Sequence, residues 1–383
     1  MKRKPGSVKD LQVLKAAYLR SRDGGEREPK EIEGVLDIAQ STVSKYLATA
    51  KTKGYLKKTF LLTIPEGRKK EIESELLPYL EGLKEDLNQL AKKAGSEGLR
   101  EIRVYHSGGD ETEGAGYDAR LKHFGHRAAE RIEELIGQMR VAAVTWGRTL
   151  FYMIEGLREL DGKISQEVRF IPVGGELWHH PDVEIDSSNL VAQLQRTLAG
   201  ESRKPDALGP VPAFIPASFT NGEVKVMRRF ISHSIGYGKI FLDHESLIDR
   251  ADTVLTSVGT ASTSGSYTDL VLDEAATAAG MTVPQLGAIT VGNIAGVFLH
   301  RLGLRRRELG RVSAINQRWT GIQLKHLERC AEKGRKSGKV GVVVLALGKE
   351  KRDIVLECVR RGLVNELIID HDLAGELAKR RQE

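Results

Sequence analysis

From Glu28 to Lys58 the chain reads EPKEIEGVLDIAQSTVSKYLATAKTKGYLKK. Ile32, Leu36, Ile38, Val43 and Leu47 stand where two short helices would cross over a tight turn, the spacing of a helix-turn-helix opening a winged domain. Crossing consumes one side of the second helix. Its other side carries Gln40, Ser41, Thr42, Ser44, Lys45 and Thr49, small and polar groups able to enter a major groove and reach base edges or phosphates. Double-stranded operator DNA is therefore the expected macromolecular partner.

Charge supports that expectation independently. The chain holds 59 Lys+Arg and 52 Asp+Glu, a formal excess of +7. Residues 1–64 hold 14 basic and 7 acidic groups, so the remaining 319 residues carry 45 of each sign. An excess confined to one small domain suits a phosphate-binding module better than a generally basic enzyme.

At 383 residues the chain leaves some 300 for one large body or two smaller ones. Its longest apolar runs, such as VGVVVLAL from Val340 to Leu347, are short of a membrane span, and MKRKPGSVKD has no apolar signal core. No membrane partner and a cytoplasmic location are expected. Cys330 and Cys358 form no CxxC pair and no disulfide framework, which fits a reducing compartment.

Ile72, Leu76, Leu80, Leu83, Leu87 and Leu90 draw an apolar stripe down a linker helix, with Pro78 and Gly82 breaking any long coiled coil. The stripe is open to covering by the body of the same subunit or by a second copy. Gly95 to Gly98 reads as a hinge or helix stop. The expected domains are residues 1–64 for DNA binding, 65–98 as linker helix and 99–383 as the body.

From Leu99 onward β-like runs alternate with amphipathic helices. REIRVYHS, RVAAVTWG, VRFIPVGG, ADTVLTSVG, RVSAINQ, KVGVVVLALG and NELIIDHD read as strands; ARLKHFGHRAAERIEELIGQM, TLFYMIEGLREL, SSNLVAQLQRTLAG and KEKRDIVLECVRRG read as helices. That alternation implies an α/β domain with a doubly wound parallel sheet, whose ligands lie beyond the carboxyl ends of the strands. Gly147-Arg148-Thr149 follows one such strand. Glycine admits an oxyanion to the backbone, the helix start offers free N–H groups, and Thr149 and Arg148 add a hydroxyl and a charge, so the chemistry suits a phosphate. Gly174-Gly175-Glu176 and Ser257 to Ser262 close other strands. No G-x-G-x-x-G follows the body's first strand and no G-x-x-x-x-G-K-[ST] occurs, so no nucleotide cofactor is expected. His179, His180, Asp182 and Glu184 read as a solvated turn rather than a metal site, and His106, Asp110, Glu111 and Glu113 as a glycine-containing loop.

The order of these segments resembles the SorC family of sugar-responsive bacterial transcriptional regulators over nearly the whole chain. The resemblance rests on the helix-turn-helix, on VTWGRTL (144–150), ADTVLTSVGTAS (251–262), VGNIAGVFL (291–299), RVSAI (311–315) and ALGKEKRDIVLECVRRGLVNELIIDHDLAGEL (346–377). It implies a winged helix-turn-helix joined to a Rossmann-like sugar-phosphate-binding domain, similar in fold to glucosamine-6-phosphate deaminases and ribose-5-phosphate isomerases. It further implies a non-enzymatic regulator, working as a homodimer or homotetramer, with an effector pocket including Gly147, Arg148, Thr149, Gly175, Gly259, Asn293 and Lys351. Asn293 stands where the family usually has an acid; an amide both donates and accepts, which bears on effector choice. Leu347 precedes Gly348 where a glycine pair is frequent, and Ala39 replaces a frequent capping serine. The rival reading is a sugar-phosphate isomerase or deaminase with an appended nucleic-acid-binding domain. Asn293 cannot act as its base, no other carboxylate is placed in the pocket by sequence, and Lys351 could form a Schiff base with an open-chain sugar, although pairing with a phosphate is its more ordinary role.

Overall fold

The computed structural model describes residues 8–22, 29–36, 38–56, 79–105, 107, 115–160, 168–176, 185–199, 206–209, 211–261 and 269–379. Near the amino end, helices α1 (Val8–Arg22), α2 (Pro29–Leu36) and α3 (Gln40–Thr52) share one small core. Val13, Ala16, Ala17 and Leu19 of α1 meet Ile32 of α2 and Val43, Leu47 and Ala50 of α3, with Leu36 and Ile38 packed against them. All five apolar positions singled out from spacing thus face this core. α1 completes it. The segment that would form the wing, residues 57–64, lies outside the described residues.

Helix α4 (Tyr79–Lys93) follows, and its stripe turns inward: Leu83, Leu87 and Ala91 are buried in the core of the same chain, against the carboxyl-terminal helices. Burying a leucine stabilises by about 1.5–3 kcal/mol, so this packing fixes α4 to the body. Ile72 and Leu76 lie outside the described residues.

The body is built on β1 (Glu101–Tyr105), β2 (Val141–Val144), β3 (Arg169–Pro172), β4 (Thr253–Gly259), β5 (Thr290–Ile294), β6 (Val297–His300), β7 (Gly341–Ala346) and β8 (Glu366–Asp370). Six strands run parallel in the order β1-β8-β7-β4-β2-β3, and the antiparallel hairpin β5–β6 pairs with the last two residues of β4. Between strands lie α5 (Ala115–Ile136), α6 (Arg148–Glu159), α7 (Ser187–Ala199), α8 (Asn221–Ser232), α9 (Asp269–Ala278), α10 (Val283–Ile289), α11 (Arg306–Arg318), α12 (Leu324–Ser337) and α13 (Arg352–Arg360), and α14 (His371–Ala378) follows β8.

Strand periodicity sorts the core into two layers. In β7, Val342, Val344 and Ala346 face α4, α12, α13 and α14, whereas Val343 and Leu345 face α5, α6 and α7. A sheet covered on both faces needs apolar residues at every position, and the whole of β7 is buried. Cys330 and Cys358 are free and buried in the first layer; burial pushes the Cys330 thiol up to about 12.

One element departs from the sequence reading. RVSAINQ lies inside helix α11, because Val312 and Ile315, three apart, share the side that packs on Leu286, Ile289 and Phe298. The strands at that point of the chain are instead β5 and β6. Among the described residues no helix is long and apolar enough to cross a membrane.

Candidate functional site

The chain leaves β2 for β3 on one side and β4 for β7 on the other, so a crevice opens beyond the carboxyl ends of β2 and β4. A cleft with about 90 Å³ of free volume lies there. Gly147, Arg148, Thr149, Gly259, Asn293 and Lys351 line it, so the fold brings together six of the seven pocket positions marked from sequence.

The first wall is the turn from β2 into α6. Gly147 takes φ 128°, a left-handed conformation that favours glycine, and its N–H donates to the Ile185 carbonyl at 3.0 Å. It caps α6 with no side-chain hydrogen bond to the first turn. A Cβ at this position would lie 3.4 Å from Ser257 Oγ, so glycine leaves that hydroxyl uncovered. Thr149 is buried in the same turn. Arg148 sits at the rim, ion-paired to Asp118 at 2.6 Å with its guanidinium over the Tyr117 ring. Its charge is already shared.

The second wall is the end of β4 against the hairpin. Gly259 pairs with Asn293, and a Cβ on Gly259 would come within 2.6 Å of the Asn293 amide nitrogen. Glycine is required there for the amide to reach the cleft. The two-residue turn joining β5 and β6 is left-handed throughout, with φ 55° at Ala295 and 87° at Gly296. Such a turn matches the twist of a hairpin, but alanine bears a cost of about 1–2 kcal/mol for it. Both residues line the cleft.

The third wall carries the cation. After β7, Gly348 at φ 104° leads through a short turn to Lys351 at the start of α13. The Gly348 N–H donates to Asp370 Oδ1 at 2.9 Å, and the same oxygen caps α14 through the Leu373 N–H at 3.3 Å. Burial raises the Asp370 carboxyl, and these N–H groups partly offset it. Asp370 thereby fixes the backbone three residues before Lys351. Lys351 has no carboxylate partner among the described residues, while Glu350 beside it also lines the cleft.

Gly175 does not line the cleft. A Cβ there would meet the backbone of residues 211–213 at 2.6 Å, and the flanking Glu176 exchanges backbone hydrogen bonds with Val211 and Ala213. Its missing side chain serves packing, as does that of Gly174 against Trp146. Sequence reading did not mark Ser257, Thr260 or Glu350 as pocket residues, although each neighbours one that was marked; Tyr117, arriving from α5, carried no local signal. Glu350 brings to the pocket a carboxylate that sequence reading did not place there. The segments holding His179 to Glu184 and His106 to Glu113 fall, except for Ser107, outside the described residues. Among the described residues no three His, Cys, Asp or Glu gather as metal ligands.

On α3, Gln40, Ser41, Ser44 and Lys45 are exposed and Thr42 and Thr49 half-buried, with the buried face turned to α1 and α2. Lys53 pairs with Asp10 at 2.6 Å and ties the end of α3 to α1. Ala39 caps α3 with no side-chain hydrogen bond. Ala39→Ser should supply that bond and stabilise this domain by about 1 kcal/mol. An unchanged denaturation midpoint would show that serine does not cap here.

The family model Sugar-bind, described as "Putative sugar-binding domain", matches residues 98–379. Comparison with curated protein sequences gave no match. Among solved structures, the full-length sorbitol operon regulator SorC from Klebsiella pneumoniae is similar at 19% identity and TM-score 0.56, covering 97% of this chain and 100% of that one. A transcriptional regulator from Streptococcus pneumoniae TIGR4 is similar at 18% identity and TM-score 0.52, over 80% of this chain and 99% of that one. A probable sor operon regulator from Shigella flexneri matches at 18% identity and TM-score 0.50, over 77% and 98%. These likenesses are ones of fold. With the family model spanning well over half of its length, the chain belongs to the sugar-binding domain family of the SorC type.

Proposed function

We propose that the chain is a sequence-specific DNA-binding transcriptional regulator whose operator affinity is set by a phosphorylated sugar or related metabolite. The observation that carries the reading is the convergence, at one crevice, of an uncapped helix start, glycine turns and a lysine that has no carboxylate partner among the described residues. Uncapped N–H groups and a cation recognise an anion; Asn293, Ser257 and Glu350 offer donors and acceptors for hydroxyls. The cleft, with about 90 Å³ of free volume, has room for a phosphate at its base while the sugar occupies the open mouth. The winged form of the DNA-binding domain, the kinship with sugar-phosphate isomerase folds, a homodimeric or homotetrameric assembly and a cytoplasmic location belong to this proposal. So does the absence of catalysis: sugar phosphates incubated with the protein should be returned unchanged, and turnover would favour an enzyme.

The reading is tested by titration calorimetry against a panel of sugar monophosphates. Ligand at ~100 times its dissociation constant should raise stability by ~2.7 kcal/mol. A panel without any binder would remove the effector half. For DNA, Lys45→Ala should weaken operator binding and lower the slope of log affinity on log salt by about 1, since one phosphate contact is lost. A salt slope identical to that of the unaltered chain would take Lys45 off the DNA.

A further inference from the structure

A larger cavity, with about 410 Å³ of free volume, adjoins the cleft. Thr260, just past β4, and Glu350 line both spaces. The other walls are of two kinds. Val283 and Pro284 of α10 and Val291 of β5 are apolar, whereas Arg301, just past β6, and Asp353 of α13 are charged. Arg301 Nε donates to the Gly287 carbonyl at 3.1 Å, while Nη1 stands 3.5 Å from Asp353 Oδ2. That ion pair is loose, and the two side chains are 43% and 49% exposed. We propose that the cleft and this cavity together bind a phosphorylated disaccharide, with the phosphate at the base of the cleft, the first ring in its mouth and the second ring against Arg301 and Asp353. The proposal rests on the reading of the cleft as a sugar-phosphate site, and it names the ligand class.

The chemistry of the second space selects a neutral ring rich in hydroxyls. A wholly apolar group would cover Arg301, Asp353 and Glu350 without satisfying them. A second phosphate would meet two carboxylates and a cation already shared with one of them, and an ammonium would meet Arg301. A sugar ring suits both kinds of wall. Its hydroxyls accept from a guanidinium and donate to carboxylates, and its C–H faces cover Val283, Pro284 and Val291. Thr260 and Glu350 stand at the shared border, where the glycosidic link would pass, and their hydroxyl and carboxylate can bond to either ring. The cavity is also shaped by a close approach. A Cβ at Gly287 would come within 3.0 Å of the Ala261 carbonyl, so glycine lets α10 close on the chain just past β4.

The test is titration calorimetry of the full chain with trehalose-6-phosphate, maltose-6-phosphate, cellobiose-6-phosphate and lactose-6-phosphate, each beside the glucose-6-phosphate or galactose-6-phosphate it contains. Glucose-1,6-bisphosphate serves as the doubly charged control. At least one disaccharide phosphate should bind ~10-fold or more tighter than its own monosaccharide phosphate, the gain of one or two hydrogen bonds. Asp353→Ala and Arg301→Gln should each remove most of that gain, and Val283→Trp, which fills the cavity, should do the same. Monosaccharide phosphate affinity and the unfolding midpoint should stay as they were, because none of the three residues lines the cleft. Monosaccharide phosphates that bind with no disaccharide gaining overturn the inference and leave the sugar-phosphate reading standing. A gain that survives all three substitutions also overturns it, as does a bisphosphate that binds more tightly than every disaccharide phosphate. A chain that binds neither kind of sugar phosphate overturns both the reading of the cleft and the inference built on it.

Discussion

Lys351→Ala should weaken binding of a sugar phosphate by about 10- to 150-fold, the equivalent of the 1.5–3 kcal/mol of a charged hydrogen bond. The lysine is half-buried at the start of α13 and lines the same cleft as the uncapped start of α6, with no carboxylate to share its charge among the described residues. Arg148 is differently placed. Asp118 holds its guanidinium at 2.6 Å, so an incoming phosphate must compete for it, and Arg148→Ala should cost less than Lys351→Ala. Thr149→Val removes one buried hydroxyl at nearly constant volume and should cost about 0.5–1.5 kcal/mol. Operator affinity without effector should stay at its original value in all three variants. Coupling is reciprocal, so an effector that loosens the operator complex must itself bind less tightly, by the same factor, when operator is present. Calorimetry with a confirmed effector decides the order of effects. Equal affinity in the original protein and the lysine variant would move the phosphate away from this crevice.

The parts of this arrangement that were legible in sequence are those with a local cause. A 3.6-residue spacing located α2 and α3, and a continuous apolar run bounded by turns located β7, because a strand buried on both faces leaves no polar position. Gly147 and Gly259 stood out since glycine at a strand end is visible one residue at a time. RVSAINQ misled because its β-branched and small residues suit either state over so short a run, and only the packing of Val312 and Ile315 on α10 and β6 decides. Gly175 misled for a related reason: an absent side chain looks the same whether a ligand or another backbone approaches. Tyr117 enters the cleft from α5 and Asp370 steadies the turn before Lys351 from a different strand, both through contacts distant in sequence.

Gly296→Ala should be the most damaging single methyl group that can be added near the cleft. Two costs combine there. At φ 87° an alanine is strained by about 1–2 kcal/mol, and its Cβ would fall on the indole ring of Trp319. Trp319 is 1% exposed, packed with Ala213 and Val297 and tilted at 40° against Trp146 with ring centroids 6.0 Å apart, so it has no room to withdraw. Overpacking of this kind adds about 1–3 kcal/mol, for a total near 3 kcal/mol. At 2–4 °C per kcal/mol for a domain of this size, the unfolding midpoint should fall by about 6–12 °C. Gly303 separates the two costs. It takes φ 74°, yet a Cβ there would meet nothing within 4 Å, so Gly303→Ala carries the backbone strain alone. Alanine also restricts the unfolded chain, which returns about 0.4–1 kcal/mol, and the net loss at Gly303 should be under about 1.5 kcal/mol. Thermal unfolding of both variants, followed by tryptophan emission, measures the difference directly. If the two midpoints coincide, the hairpin yields to the added methyl and Trp319 does not brace the β5–β6 turn; if Gly296→Ala falls well below Gly303→Ala, the indole is the rigid body against which that turn, and with it Asn293, is set.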